Sequence, residues 1–527
     1  MEHRSNPVLD ADWPDPDVIR CGDDFWMIAS SFNRAPGLPV LRSRNLVDWE
    51  HVTNALPSLV PAEHYALPRR GSGVWAPAIR EHDGTFFIVY PDPDHGIFVL
   101  EAPDPAGPWS APRLLLPGRG LIDPCPLWDT DGRAYLVHGW ARSRAGIKNR
   151  LTLLEVTPEL TAPLSTSQVI IDGATIPDML TLEGPKAYVH DGWYWIYAPA
   201  GGVADGYQVV FRSRDLRGPY EHRIVLEQDS TAVNGPHQGA LVDDVHGHWW
   251  FVHFQDRDVF GRVTHVQPVR FDDEGWPHLG DPIDEVRGRP VPVIPQRGAA
   301  AAYSEPQRSD DFTTAHLHPR WHWQANPQPH WSRTGNGRLD LAFAPSPRGD
   351  LRELGQILGQ QMPGRPSQWS ARLHLPGAES PVSLGIERAG LVVLGLSYAW
   401  AGLRRDADGI ALVHATMAQD EVDESEHRAR LLTADPAAEV SVHLQADIDA
   451  DGRVSFAASD VRLGELDEPL GRVAVEPLLS QWPSTKGHWI GAEIGLFATV
   501  GSMAHRVLED RRASFGPVTV RREGRDA

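Results

Sequence analysis

Over the first 285 residues the apolar positions fall in short, strand-length runs, without the three-to-four-residue spacing of an amphipathic helix. Five times an apolar run ends at a Gly-containing turn and an aromatic-rich run follows. These second runs read GDDFWMIAS from Gly22, DGTFFIVY from Asp83, DGRAYLVHG from Asp131, DGWYWIYAP from Asp191 and HGHWWFVHF from His246. The turn glycines Gly22, Gly84, Gly132, Gly192 and Gly247 lie 62, 48, 60 and 55 residues apart. Before each turn stands a first strand: PDPDVIR, WAPAIRE, DPCPLWD, EGPKAYV and PHQGALV. After each second strand comes a third: PVLRSRN, GIFVLEA, RLTLLEV, YQVVFRS and GRVTHVQ. Most units close on an aromatic behind a polar turn, at Trp49, Trp109, Tyr220 and Trp276.

Five meanders of this kind predict an all-β, five-bladed β-propeller over residues 1–285. One blade cannot bury both of its faces, so neighbours must stack round an axis. A long β-sandwich would not require so regular a period. In a propeller the innermost strands all begin at one end of the axis. Counted back from the turn glycines by 7, 9, 9, 9 and 10 residues, those beginnings fall at Asp15, the Trp75 segment, Asp123, Glu183 and His237. Three carboxylates should therefore share one funnel. In WPDPDVI, Trp13 to Ile19, flanking prolines fix φ and hold Asp15 stiffly at the mouth of its strand.

From Val286 the chain reads RGRPVPVIPQRGAAAAYSEPQ, rich in Pro, Gly and Ala and without either period, which predicts a linker over 286–308. SDDF at Ser309 opens a second domain, 309–527. There RLDLAFAP, QWSARLHLPG, SLGIERAGLVVLGLSY, GIALVHATM, AEVSVHLQADI, RVSFAAS, GHWIGAEIGLFATVG and FGPVTVRRE alternate as half-buried strands. DADG, Asp449 to Gly452, is a hairpin candidate. About ten strands with turn signals predict a two-sheet β-sandwich. Trp489 and Phe497 are expected in its core.

At 527 residues the chain is too long for one core. Its 46 Pro, 48 Gly and 19 Trp agree with turns and strands. A net charge of −21 argues against nucleic acid or an anionic membrane as partner, since both would repel it. No apolar run approaches the ~20 residues of a membrane span, and MEHRSNPVLD lacks the apolar core of a signal peptide. Cys21 and Cys125 are too few for a disulfide framework or a Cys-built zinc site. These features lead us to expect a cytoplasmic protein.

Converging carboxylates either cap strand ends and bind channel water, or do chemistry; like charges at close quarters raise pKa values as acid catalysis needs. Glycoside hydrolysis uses such a set, one carboxylate activating water and one carboxylic acid donating to the leaving oxygen. Here the sequence resembles glycoside hydrolase family 43. The matching stretches are NPVL…WPDPDVIR near the start, GVWAPAIREHDG from Gly73, LIDPCPLWDTDGRAYLVHG from Leu121, LEGPKAYVHDGWYW from Leu182 and GRVTHVQPVRFDDEGWP from Gly261, in order across all five units.

The resemblance implies Asp15 as general base, Glu183 as general acid, and Asp123 as the third carboxylate that keeps the acid's pKa raised and orients it. It implies that Trp75 forms an aromatic wall beside the sugar, where the bare sequence equally allows a blade-core tryptophan. Phe32, in SSFNRAPG, is by resemblance a pocket-lining aromatic, or else packs under its loop. Arg262, in FGRVTH, resembles an arginine that reaches sugar hydroxyls and the carboxylates; an isolated strand arginine is otherwise a solvated residue. His237 resembles a central histidine that contacts substrate, or a calcium ion through water. No cofactor is required, and a structural calcium near His237 is left open, since Ca²⁺ prefers oxygen ligands.

Two departures stand out. Ala78 follows WAP where many relatives have an acidic residue, and the loop SRAGIKNR, Ser143 to Arg150, has no chemical assignment. Its basic residues are either solvated or set substrate choice. The expected activity is that of an inverting exo-glycosidase removing terminal β-D-xylosyl or α-L-arabinofuranosyl units from short oligosaccharides, with homo-oligomerisation open. A retaining fructan hydrolase would begin with an Asn-Asp-Pro motif, which PDPD does not match. A non-catalytic sugar-binding propeller would lack at least one of the three carboxylates, and all three are here.

Overall fold

The computed structural model describes residues 4–294, 309–346, 348–378, 385–460, 475–501 and 508–522. Apart from single helical turns such as Arg142–Ala145, these residues form strands and turns. They divide into two compact units. The first holds the chain up to Val60, Gly71–Arg257 and the residues from Arg262 that precede the second domain. The second takes in Pro61–Arg70, Asp258–Gly261 and the chain from Ser309 onward.

The first unit is a five-bladed β-propeller, each blade built on a four-stranded antiparallel meander, to which the fourth adds the short strands Gly288–Arg289 and Asp281–Pro282. The innermost strands are Asp17–Cys21, Ala78–His82, Leu121–Trp128, Lys186–His190 and His237–Asp243. The Asp-Gly turns do what the sequence asks of them. Asp83 and Gly84 (φ 49° and 77°), like Asp191 and Gly192 (51° and 70°), are both left-handed. That is the two-residue hairpin turn whose twist matches the strands it joins. The aromatics that close the units are anchored to their own turns. Trp49 and Trp109 donate Nε1 to the carbonyls of Leu46 and Pro105, and the Tyr220 hydroxyl donates to Leu216. In the second and fourth blades the turn is capped by Asp104 and Asp215, each accepting the amide two residues on.

Neighbouring blades share cores, which is why none need stand alone. Val18, Met27 and Leu41 of the first blade pack with Val242, Val252 and Val266 of the fifth. Val137 and Leu153 of the third meet Ile196, Val209 and Phe211 of the fourth. Each such side chain contributes roughly 1.5–3 kcal/mol on full burial. The innermost strands are also tied to one another. Asp17 accepts from the Ile79 amide and Arg80 Nη1 at 2.7 Å each, and Arg80 Nη2 reaches Cys125 Sγ at 3.1 Å. Lys186, 1% exposed, donates to the Pro77 carbonyl at 2.7 Å and lies 3.6 Å from Asp17.

The ring closes through the beginning of the chain. The Val8 amide donates to Thr264, Asn6 exchanges hydrogen bonds with Val266, and Arg4–Ser5 pairs with Val293–Ile294. Part of the expected linker, 286–308, thus pairs with the first unit. Gly288 pairs with Leu226 of the fourth blade, and Val293–Ile294 with the N-terminal strand. Two-residue strands have no period, so nothing in the Pro-rich text betrays them. The remainder of the expected linker, 295–308, lies outside the described residues.

The second unit is a two-sheet β-sandwich. One sheet runs Ser425–Thr433, Gly409–Met417, Tyr398–Asp406, Glu387–Leu394, Glu493–Val500, the last also pairing with Ile357–Gln361. The other runs Arg338–Pro345, Leu508–Phe515, Ser367–Leu375, Val440–Ile448, Arg453–Asp460, Glu476–Pro483. Leu373, Leu444 and Phe456 face Leu391, Leu412 and Leu496 in the core between them. A second core, with Trp400 and Phe497 at 5.2 Å between ring centroids, covers the other face of the first sheet. DADG is the hairpin turn between Val440–Ile448 and Arg453–Asp460. Trp489, expected in the core, is instead 47% exposed in a left-handed conformation (φ 70°); flanking Gly and His residues leave the chain no strand to carry it inward.

Candidate active site

All seven residues singled out in the sequence belong to the propeller unit. Asp15 precedes the first innermost strand and takes φ 55°, a left-handed value costly for a residue other than glycine. Its two proline neighbours permit little else to move. The kink turns the carboxylate towards Ser30, whose amide donates back to Pro14 at 2.9 Å. Ser30 Oγ donates to Asp15 Oδ2 at 2.5 Å, and Arg262 Nη1 lies 3.2 and 3.3 Å from the two carboxylate oxygens. Asp15 and Arg262 are buried, so the pair is little screened by water. Asp12 supports Arg262, its Oδ1 accepting the Arg262 amide at 2.9 Å, while its Oδ2 accepts from Arg34 at 2.8 Å.

Asp123 sits inside the third innermost strand, where the pairing slips between Ile122 and Cys125, again with φ 55°. The bulge re-aims one side chain out of the ladder, as bulges beside functional sites do. Gly139 pairs across from Ile122, and a Cβ there would come within 3.3 Å of Asp123 Oδ2. The one hydrogen bond described for the carboxyl is from the Gly184 amide, 2.8 Å from Oδ2. Gly184 is left-handed (φ 59°), and a Cβ on it would strike Gln238 and Pro199 at 2.9–3.0 Å. Burial first, then the neighbouring charges of Glu183 and Asp15, push the Asp123 carboxyl up to about 8, against the pull of the Gly184 amide and Lys186.

Glu183 precedes the fourth innermost strand and is the most open of the three, its side chain 26% exposed. Its amide donates to Pro199, and Oε1 lies 3.2 Å from His237 Nε2. His237 is 1% exposed, at the head of the fifth innermost strand. The Phe254 ring links the two halves of the site, 5.5 Å from the His237 ring and 4.9 Å from the Arg262 guanidinium. Phe32, also left-handed (φ 50°), exchanges backbone hydrogen bonds with Val74, which sets its ring 5.9 Å from that of Trp75.

The structure thus brings Asp15 to Arg262, Asp123 and His237 to Glu183, and Phe32 to Trp75. Ser30, Asp12, Gly139 and Gly184 escaped the sequence reading. Ser30 lies just past the second strand of the first blade and Gly139 near the end of that of the third, and only the folded structure shows that they face the carboxylates. Among the described residues no group of three or more His, Cys, Asp or Glu side chains could hold a metal ion. Round His237 the protein offers one imidazole and one carboxylate, a poor match for the six to eight oxygens that Ca²⁺ takes.

Residues 4–277 match the model of glycosyl hydrolases family 43, and residues 309–507 that of the beta-xylosidase C-terminal concanavalin A-like domain. A protein of Xylanibacter ruminicola, provisionally named a beta-xylosidase, is 36% identical over 403 residues, 74% of this chain and 72% of that one. A non-reducing-end alpha-L-arabinofuranosidase of Bacteroides ovatus is 30% identical over 351 residues, 62% of this chain and 63% of its own. A crystal structure of a xylan beta-1,4-xylosidase from Bacillus halodurans shares the fold, with TM-score 0.81 and 21% identity over 98% of this chain and 99% of that one. With the family model covering more than half its length, the chain belongs to glycosyl hydrolases family 43 and is a glycoside hydrolase.

Proposed function

We propose that this glycoside hydrolase is an inverting, exo-acting enzyme that removes terminal β-D-xylosyl or α-L-arabinofuranosyl units from short oligosaccharides. The observation that carries this is the contrast between two carboxylate settings in one site: Asp15 clamped by Arg262 and Ser30, and the Asp123–Glu183 pair with Asp123 pushed up to about 8. Environments that separate the affinities of neighbouring carboxyls for protons supply a base and an acid together. In the proposed reaction Asp15 takes a proton from water as its oxygen bonds to the anomeric carbon. The bond from that carbon to the leaving oxygen breaks, and Glu183 gives that oxygen its proton. Arg262 and Ser30 hold Asp15 in line. Asp123, the third carboxylate, lies beside Glu183, and Trp75 and Phe32 give the sugar an aromatic wall. The names of the relatives, spanning xylosidase and arabinofuranosidase, support both sugars as substrates.

Proton NMR of the first-formed sugar tests the reading. The expected product has the anomeric configuration opposite to the substrate's; retention would sink both the inverting mechanism and the role of Asp15. Rates on aryl β-D-xyloside, α-L-arabinofuranoside and β-D-galactoside assign the sugar. A galactoside preference would overturn the pentose reading.

A further inference from the structure

The reaction just described makes no use of the loop after Ala134–Trp140 in the third blade, yet this loop touches the site at two points. Of its basic residues, Arg142, Lys148 and Arg150 are exposed, as solvated charges should be. Arg144, on the single helical turn Arg142–Ala145, is held instead. Its Nε donates to Asp94 Oδ1 at 3.0 Å, its Nη2 to the Gly71 carbonyl at 3.3 Å, and its guanidinium lies 5.6 Å from the centroid of the Trp75 ring. Asp94 also accepts from Ser72 Oγ at 2.9 Å. Gly71, Ser72 and Trp75 are one short stretch, so Arg144 grips it at the backbone, at a side chain through Asp94, and at the aromatic ring. At the other end of the loop Asn149 is buried and left-handed (φ 65°). Its carbonyl accepts the Gly173 amide at 2.8 Å, and its Oδ1 accepts the amide of Leu182, the residue before Glu183, at 2.7 Å.

We propose that residues 142–149 form a two-ended positioning element. Arg144 sets the plane of Trp75, and through it the affinity for the sugar. Asn149 sets the backbone from which Glu183 projects, and through it proton delivery. The inference rests on the reading of Trp75 as sugar wall and Glu183 as acid. It makes the two ends separable by kinetics. A ring that meets the sugar alike in ground and transition states changes KM, whereas a misplaced acid changes kcat for poor leaving groups alone.

The test uses the full chain and whichever nitrophenyl pentoside it turns over faster. Arg144→Ala should raise KM about 3–10-fold, the scale of one cation–π contact, with kcat little changed. In a Trp75→Ala background the same change should do nothing further. Arg144→Lys, which keeps the charge, should recover part of the loss. Asn149→Gly removes the acceptor while still allowing the left-handed backbone. It should lower kcat about 3–10-fold on the corresponding disaccharide, the scale of one hydrogen bond, and much less on a dinitrophenyl glycoside. Asn149→Asp, which keeps the acceptor and tolerates the conformation, should restore the rate. In a Glu183→Ala background Asn149→Gly should add no loss. Melting temperatures identify any variant that fails by unfolding, and the Lys and Asp variants then decide. If Glu183→Ala itself discriminates leaving groups but Asn149→Gly does not, the positioning element fails and the acid stands. If Glu183→Ala does not discriminate, both fall. KM and kcat falling together for both ends, additively with Trp75 and Glu183, would reduce the loop to a structural one.

Discussion

Asp15 and Asp123 share a residue type, a backbone conformation (φ 55° each) and near-complete burial, and yet their settings are opposite. Asp15 meets a guanidinium and a hydroxyl, which together address both of its oxygens. Asp123 meets one backbone amide and the charge of Glu183. The first arrangement suits a carboxylate that must be ionised and aimed; the second suits a carboxyl that must keep a proton near its neighbour. One fold builds both because five innermost strands converge and each blade brings its own partners to the meeting point. The kink at each aspartate and the identity of those partners, rather than the aspartates themselves, divide the labour.

The comparison can be broken most severely at Asp15, the proposed base. Asp15→Asn should lower turnover by at least ~10²–10⁴-fold on every glycoside, activated or not, because no leaving group removes the need to activate water. Isothermal titration with the product sugar should still show binding, and substantial turnover by pure Asp15→Asn protein would move the base elsewhere. Glu183→Ala should cost nearly as much on oligosaccharides and far less on dinitrophenyl glycosides, which depart without a proton. The gap between the two substrates should approach the ~10²–10⁴-fold of a general acid. Equal losses would assign the proton to another group and erase the contrast with Asp15.

A smaller effect sharpens the Asp15 side. Arg262→Lys keeps a positive charge but loses the planar guanidinium, whose Nη1 reaches both carboxylate oxygens and which lies over Phe254. We expect kcat about tenfold lower with KM changed less, measured on the aryl glycoside; an unchanged kcat would show that charge alone suffices.

How much of this was legible differs between the units for a physical reason. The propeller repeats, so phase alone placed Asp15, Asp123, Glu183 and His237 at one end of five strands, and the family motifs named their partners. The sandwich does not repeat. Its strands were found where alternation is clean, as in Val440–Ile448, and missed where an edge faces water. Ser425–Thr433, reading SEHRARLLT, is mostly exposed or half-buried and has no apolar face to show. Within the site the limit was register. Ser30, Gly139 and Gly184 act through a hydroxyl, a missing Cβ and a backbone amide, and none of these leaves a mark in the pattern of apolar positions.

The smallest effect tests the Asp123 setting through stability. Asp123→Asn keeps the shape, tolerates the left-handed backbone and leaves an oxygen for the Gly184 amide, but cannot titrate. In the native protein the carboxyl holds its proton up to about 8, whereas the unfolded chain releases it near the ordinary aspartate value of 3.8. Between those limits the folded state binds more protons than the unfolded one, so stability falls as pH rises. The contribution is fully present below about pH 4 and is lost on passing about pH 8. Titrations shared by wild type and variant largely cancel in the difference of their melting temperatures. Asp123→Asn should therefore gain on wild type steadily from about pH 4 to about pH 8 and then hold a constant lead. Because the charge of Glu183 is the second cause of the shift, the gain should shrink when both proteins also carry Glu183→Gln. A lead that is flat across the whole range would mean that the Asp123 carboxyl has no raised hold on its proton, and that the two settings differ only in appearance.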